Sequence, residues 1–294
     1  MKYQMLFAAT IAAAMFTACS KDSSKDEGKV DQNDPATIRT ENLIVYLPLE
    51  SEDKAVELGE GVTYSKKGGS ASFTKGVRGN GYSNSAADCK TFSFLEFALG
   101  STNRIKDMGS FTISAWVKSP KPNDGSPAMF SIDGGDPGMG SLLIMNEGWG
   151  CDADSLYMKT YLYNTATEWK GQDLGFSNVN FTTDKWFHFV YSYNEENSAI
   201  SQYSNGQFVT SSERWAGPQP EGGEQPKLGK LTLDPNMAHL YIGAWFNNTD
   251  GSHSDTWRSS YPGMVDEVRI WNVALTEEEI MDLYRKEVSK ADNL

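Results

Sequence analysis

Three tryptophans, Trp149, Trp215 and Trp257, lie in loops where solvent could reach an indole, and two of them have polar neighbours suited to a sugar. Trp149 lies between Gly148 and Gly150, beside Asn146, Glu147 and Asp152. Trp257 lies in Asp255-Thr256-Trp257-Arg258-Ser259, close to Asn247, Asn248 and Asp250. An aromatic face takes the C–H face of a sugar ring, while amides and carboxylates around it bond the hydroxyls. Trp149, Trp257, Asn146, Glu147 and Asp152 therefore form the candidate ligand-binding set, the alternative being that both indoles pack on the end of the fold. Hydrolysis of a glycosidic bond needs two carboxyl groups across it. No Glu-x-Asp-x-x-Glu triplet supplies them, and the adjacent Asp266 and Glu267 should point to opposite faces of a regular strand. Glu147, Asp152 and Glu168 remain as dispersed carboxylates that an enzyme could use. His239 and His253 have no spaced partners for a triad or a zinc site, and His188 lies in an apolar run that reads as core. Nucleophile-elbow, zinc-protease, phosphate-loop and dinucleotide motifs are absent. No residue is therefore assigned a catalytic role.

The elements that would position these residues are mostly strands. The chain has 294 residues, 39 acidic against 26 basic, a net charge of −13 and 12% aromatics. That charge disfavours nucleic acid and anionic headgroups as partners. Many aromatics among 27 glycines favour an all-β protein. Phe111, Ile113, Ala115 and Val117 alternate on one face of a strand, whereas Trp186 to Tyr193 is apolar on both faces, as in a central strand. Trp116, Trp186 and Trp271 are expected in the core. Ser204-Asn205-Gly206 predicts a hairpin. Thr276 followed by Glu279, with Ile280, Leu283 and Tyr284 behind, predicts one capped amphipathic helix near the C-terminus.

The first residues read as an address. Met5 to Phe16 is an apolar run too short to span a bilayer, ending in Phe16-Thr17-Ala18-Cys19. This resembles the lipobox of bacterial lipoproteins. It implies a signal peptide over 1–18, lipidation of Cys19, and contact with a membrane through the lipid anchor only. Residues 19–38 are polar and charged and should form a flexible tether. Acidic residues soon after Cys19 resemble the export signals of surface lipoproteins in glycan-foraging Gram-negative bacteria, which implies an outer-membrane location facing the exterior. Cys89 and Cys151 are then the remaining cysteines, either paired in a disulfide or left as two buried thiols.

Several segments carry a wider resemblance. Phe111-Thr112-Ile113-Ser114-Ala115-Trp116-Val117-Lys118, Trp186-Phe187-His188-Phe189-Val190-Tyr191, Tyr203-Ser204-Asn205-Gly206, Tyr241-Ile242-Gly243 and Tyr261-Pro262-Gly263-Met264-Val265-Asp266-Glu267-Val268-Arg269-Ile270-Trp271-Asn272 follow the order and spacing of laminin G-like, concanavalin A-like lectin/glucanase domains. The closing Asp-Glu-Val-Arg segment is the most specific. The resemblance implies an all-β fold, a two-sheet antiparallel jelly-roll sandwich over residues 39–288 with a short C-terminal helix. It also implies one structural calcium ion, with Asp266 as a ligand and Glu50 as its helper from the first strand. The turn bearing Asp133 and Asp136 is a second place for such an ion, or a plain solvated turn. The function implied is a non-catalytic carbohydrate-binding surface lipoprotein that holds a polysaccharide or oligosaccharide for uptake or degradation. The alternatives are a jelly-roll glycoside hydrolase or polysaccharide lyase, and a protein-binding or adhesion module.

Overall fold

Runs of alternating apolar residues are stable only where one face can be buried, and here they assemble into strands. The computed structural model describes residues 31, 34–84, 92–122, 125–152, 154–173 and 181–294. The signal segment 1–18, Cys19, most of the tether and Cys89 lie outside the described residues. The strands are β1 (Leu43–Leu47), β2 (Leu58–Gly59), β3 (Val62–Gly68), β4 (Ala71–Lys75), β5 (Asn80–Asn84), β6 (Phe94–Leu99), β7 (Phe111–Lys118) and β8 (Ala128–Asp136). They continue as β9 (Gly140–Asn146), β10 (Met158–Asn164), β11 (Trp169–Asp173), β12 (Phe187–Asn194), β13 (Ala199–Ser204), β14 (Gln207–Glu213), β15 (His239–Ile242) and β16 (Met264–Trp271). A helix, α1 (Glu277–Lys290), follows.

Among the described residues the strands form two antiparallel sheets. One runs β14-β13-β12-β7-β16-β1-β2, with β5 also paired to β16 and β4 to β5; the other runs β11-β10-β9-β8-β15-β6-β3. They face each other as a sandwich. Phe111, Ile113, Ala115 and Val117 enter the space between them from β7, as their alternation predicts, and meet Phe130, Ile132, Leu142, Ile144, Leu240 and Ile242 from the opposite sheet. The predicted hairpin is present, with Asn205 at φ 50° and Gly206 at φ 75° in the left-handed region that a two-residue turn requires.

Both outer faces are also covered. On the nine-stranded sheet, Val190, Tyr203 and Trp271 pack under Leu275, Ile280 and Leu283 of α1 and its approach. The helix begins with the expected reciprocal cap: the Glu279 N–H donates to Thr276 Oγ1 at 3.2 Å and the Thr276 N–H to Glu279 Oε2 at 2.9 Å. On the seven-stranded sheet, Leu143, Met145 and Tyr161 pack against Trp245, and Phe94 and Tyr241 against Ala244 and Phe246. The segment after β15 thus fills the outer surface of that sheet. Among the described residues no helix is long and apolar enough to cross a membrane.

Two expectations need correction. Trp116 and Trp271 are buried, but Trp186 sits one residue before β12 and is half-exposed at the margin of the sheet. Asp266 and Glu267 do not simply alternate. The pairing of β16 with β7 slips between Asp266 and Arg269, and Glu267 takes φ 52°. This bulge lets Val265 and Val268 both enter the core and leaves the two acids between them outside it.

Candidate functional site

Strand β9 ends at Asn146, and the chain makes a single helical turn over Gly148–Gly150 before returning as β10. Backbone bonds fix this turn: the Glu147 N–H donates to the Tyr157 carbonyl at 2.9 Å and the Gly148 N–H to the Gly125 carbonyl at 2.9 Å. Cys151 adds a sulfur clasp. Its thiol donates to the Glu147 carbonyl at 3.3 Å and its Sγ accepts the Tyr157 N–H at 3.2 Å. Among the described residues Cys151 has no disulfide partner; it is buried, and burial pushes its thiol pKa up.

Trp149 rides on this clasp, and 75% of its surface is exposed. Its ring lies 5.5 Å from that of Tyr157 at 42°. A Cβ at Gly150 would come 2.6 Å from the Tyr157 ring, so the position requires glycine. The indole Nε1 donates to Glu147 Oε2, and Glu147 Oε1 pairs with Lys159 Nζ at 2.9 Å. Glu147 and Lys159 are both buried. The platform is therefore exposed to solvent yet held from beneath, which removes much of the entropy cost of ordering it on binding.

Trp257 borders the same rim. The Ser126 N–H donates to the Trp257 carbonyl at 2.7 Å, while Gly125 accepts from Gly148 on its other side. One ribbon of chain, Gly125–Ser126, thus lies between Gly148 and Trp257. Trp257 is 41% exposed. It stands edge-on to buried Trp245 at 5.2 Å, and the Arg258 guanidinium is 4.7 Å from its ring and 4.6 Å from that of Trp245. The cation occupies one aromatic side of Trp257, so Trp149 is the more open platform.

The other sequence candidates divide. Asp152 is exposed at the rim. Asn146 is fully buried, with Nδ2 3.5 Å from Ser119 Oγ, and supports the turn from below rather than facing a ligand. Tyr157 and Lys159 escaped sequence reasoning; a lysine placed among alternating strand residues was the available signal for a buried charge pair. Glu147 is tied to Lys159 and to the indole, leaving it poorly placed to transfer protons. Asp133 Oδ2 lies 3.0 Å from His239 Nδ1, and among the described residues no hydroxyl or thiol bonds that histidine as a nucleophile would.

Among the described residues, the carboxylates expected to hold calcium are already engaged by backbone N–H groups. The ion takes six to eight oxygens. Asp266 instead faces N–H donors: Val77 at 2.8 Å, Arg78 at 3.0 Å and Glu267 at 2.8 Å. Burial, and then the Glu267 charge, push its carboxyl up to about 9 against those donors. Glu50 reaches the same turn and also accepts an N–H, from Asn80 at 2.9 Å. Asp133 accepts the N–H groups of Ala238 and His239, and Asp136 those of Gly138 and Met139. Among the described residues no group of three His, Cys, Asp or Glu could hold a metal ion.

Comparison with known proteins agrees with the fold. The laminin G-type family model of the concanavalin A-like lectin/glucanases superfamily matches residues 96–281. No curated protein matches the chain. Among solved structures, the receptor binding domain of botulinum neurotoxin mosaic serotype C/D is similar at 15% identity and a TM-score of 0.55, over 83% of this chain and 50% of that one. The serotype D ligand binding domain in complex with N-acetylneuraminic acid is similar at 13% identity and 0.54, over 85% and 52%. The serotype G binding domain is similar at 14% identity and 0.53, over 83% and 50%. The chain spans about half the length of these structures.

Proposed function

Because this chain belongs to the concanavalin A-like lectin/glucanase superfamily, we propose that it is a non-catalytic carbohydrate-binding protein whose ligand stacks on Trp149. The carrying observation is the indole itself, 75% exposed and pinned by Tyr157 and Glu147. An aromatic held open to water is an apolar surface without a partner, and a sugar ring supplies one. Asp152 and the exposed side of Trp257 extend the same rim. The N-acetylneuraminic acid complex of a structural neighbour supports a sugar as the ligand class. In the cell, the reading is of a lipoprotein anchored through Cys19 in the outer membrane, facing outward and holding glycan for uptake or degradation; the sequence Phe16-Thr17-Ala18-Cys19 supports it.

A glycan array identifies a ligand, and calorimetry then compares wild type with Trp149→Ala. Base–aromatic stacking is worth about 1–3 kcal/mol, and by analogy affinity should fall about tenfold to a hundredfold. The melting temperature should hold, because the indole is not core. Full affinity in Trp149→Ala would place the ligand elsewhere, and release of reducing sugar by the purified protein would overturn the non-catalytic reading.

A further inference from the structure

A second cleft, of about 630 Å³, opens where α1 overhangs the nine-stranded sheet, on the strand ends that carry Lys118 and Met264. Those two residues face each other across the β7–β16 pair. Buried Trp116 lies at its base, with half-buried Trp186 and Tyr284 along its sides. The volume falls within the range of small-molecule sites, about 300–1,000 Å³.

Its charge is the unusual feature. Lys75, Lys118 and Lys185 line the cleft, and no Asp or Glu does, in a chain with 39 acidic residues against 26 basic. Among the described residues none of the three lysines forms an ion pair, although this protein pairs many of its other cations. Glu287 accepts the Trp116 indole N–H at 3.3 Å and is bound to the Arg269 guanidinium, and it is not among the residues that line the cleft. Three like charges around one cleft make its potential positive, and an anion placed there is attracted to it.

We propose that this cleft binds a carboxylated sugar, a hexuronate unit of an acidic polysaccharide. The lysines hold its carboxylate, Trp186 and Tyr284 take its ring, and the amides of Asn205 and Asn293 meet its hydroxyls. That the occupant is a glycan rests on the function proposed above. A phosphate polymer fits less well, because no arginine lines the cleft to give bidentate phosphate contacts.

The test is calorimetry with oligosaccharides of galacturonate, glucuronate and mannuronate, each beside its carboxyl-reduced neutral counterpart. The proteins are wild type, Lys118→Ala/Lys185→Ala and Trp149→Ala. At least one acidic oligosaccharide should bind about tenfold or more tightly than its neutral form, the worth of one charge-assisted hydrogen bond. High salt should shrink that preference. The double lysine variant should lose it, and Trp149→Ala should keep it. The lysines are exposed or half-buried and unpaired, so that variant should fold. No acidic preference in any pair, or a preference that survives loss of both lysines, overturns the uronate cleft while neutral binding lost in Trp149→Ala leaves the rim intact. Failure of every glycan to bind overturns both.

Discussion

Arg269 on β16 and Glu287 on α1 are joined guanidinium to carboxylate, and both side chains are buried. The second arm of Arg269 lies 2.7 Å from Glu267, and the guanidinium stacks 3.9 Å above the Tyr46 ring. Tyr46 donates its hydroxyl to Glu267 at 3.0 Å, and Arg78 stands 3.8 Å from the same carboxylate. The Asp-Glu-Val-Arg segment thus works as a fastener between sheet and helix.

Removing its cation should be severe. Arg269→Met leaves Glu267 and Glu287 buried without their main partner, and breaking such a pair costs about 3–5 kcal/mol. Urea unfolding should show that loss, with Arg269→Met/Glu287→Leu recovering part of it. An Arg269→Met midpoint equal to wild type would show that the pair does not hold α1 down.

His188 should set part of the acid limit of stability. Its ring sits between Trp116 at 5.5 Å and Tyr284 at 6.1 Å, and neither ring nitrogen has a hydrogen-bond partner. Burial, and then the Arg269 charge, lower its pKa to about 3 from the ordinary 6.5. Between those values the unfolded chain binds the proton and the folded one does not. Stability from this residue is therefore full above pH about 6.5 and declines as pH falls towards 3. Denaturation at successive pH values should show His188→Phe with a shallower decline across that window; an unchanged slope would assign the acid limit to other groups.

The N–H groups around Asp266 lead to a further expectation. An ion that binds only the folded form raises the melting temperature by mass action. Protein freed of metal should melt at the same temperature in chelator and in millimolar calcium. A clear rise with calcium would mean that these carboxylates exchange their amide partners for the ion.

Local signals were legible ahead of the structure and relational ones were not. Thr276 and Glu279 lie one turn apart, so the cap could be read directly, and Asn205-Gly206 declared its hairpin. The alternation of β7 located the core. Trp186 was misread because period-two reasoning cannot tell where neighbouring strands end. The Asp266–Glu267 bulge was hidden because alternation assumes regular pairing. Glu287 carries no sequence signal of its own, and its burial follows only from meeting Arg269. At the rim, Trp149 could be singled out by its glycines, but Tyr157 and Lys159 beneath it depend on how β10 returns beside β9.

The anchor can be tested independently of any ligand. One acyl chain binds a membrane only marginally, so stable attachment through Cys19 requires at least two. Cys19→Ala should move the protein into the soluble fraction when cells are broken without detergent. A variant that stays with the membranes would place the attachment elsewhere.

The pairing of the first strand with the last has a consequence for assembly in time. Leu43 lies opposite Trp271, and the Trp271 indole donates to the Ile38 carbonyl, 233 residues earlier, at 2.8 Å. One edge of β1 meets two residues of β2 nearby in sequence, but the other edge waits for β16, a partner made some two hundred residues later. Chains dominated by such distant contacts fold in milliseconds to seconds rather than microseconds. A nascent chain emerging from its N-terminus must carry the β16-facing edge of β1 unpaired until β16 has appeared, so this sandwich closes late and as a whole.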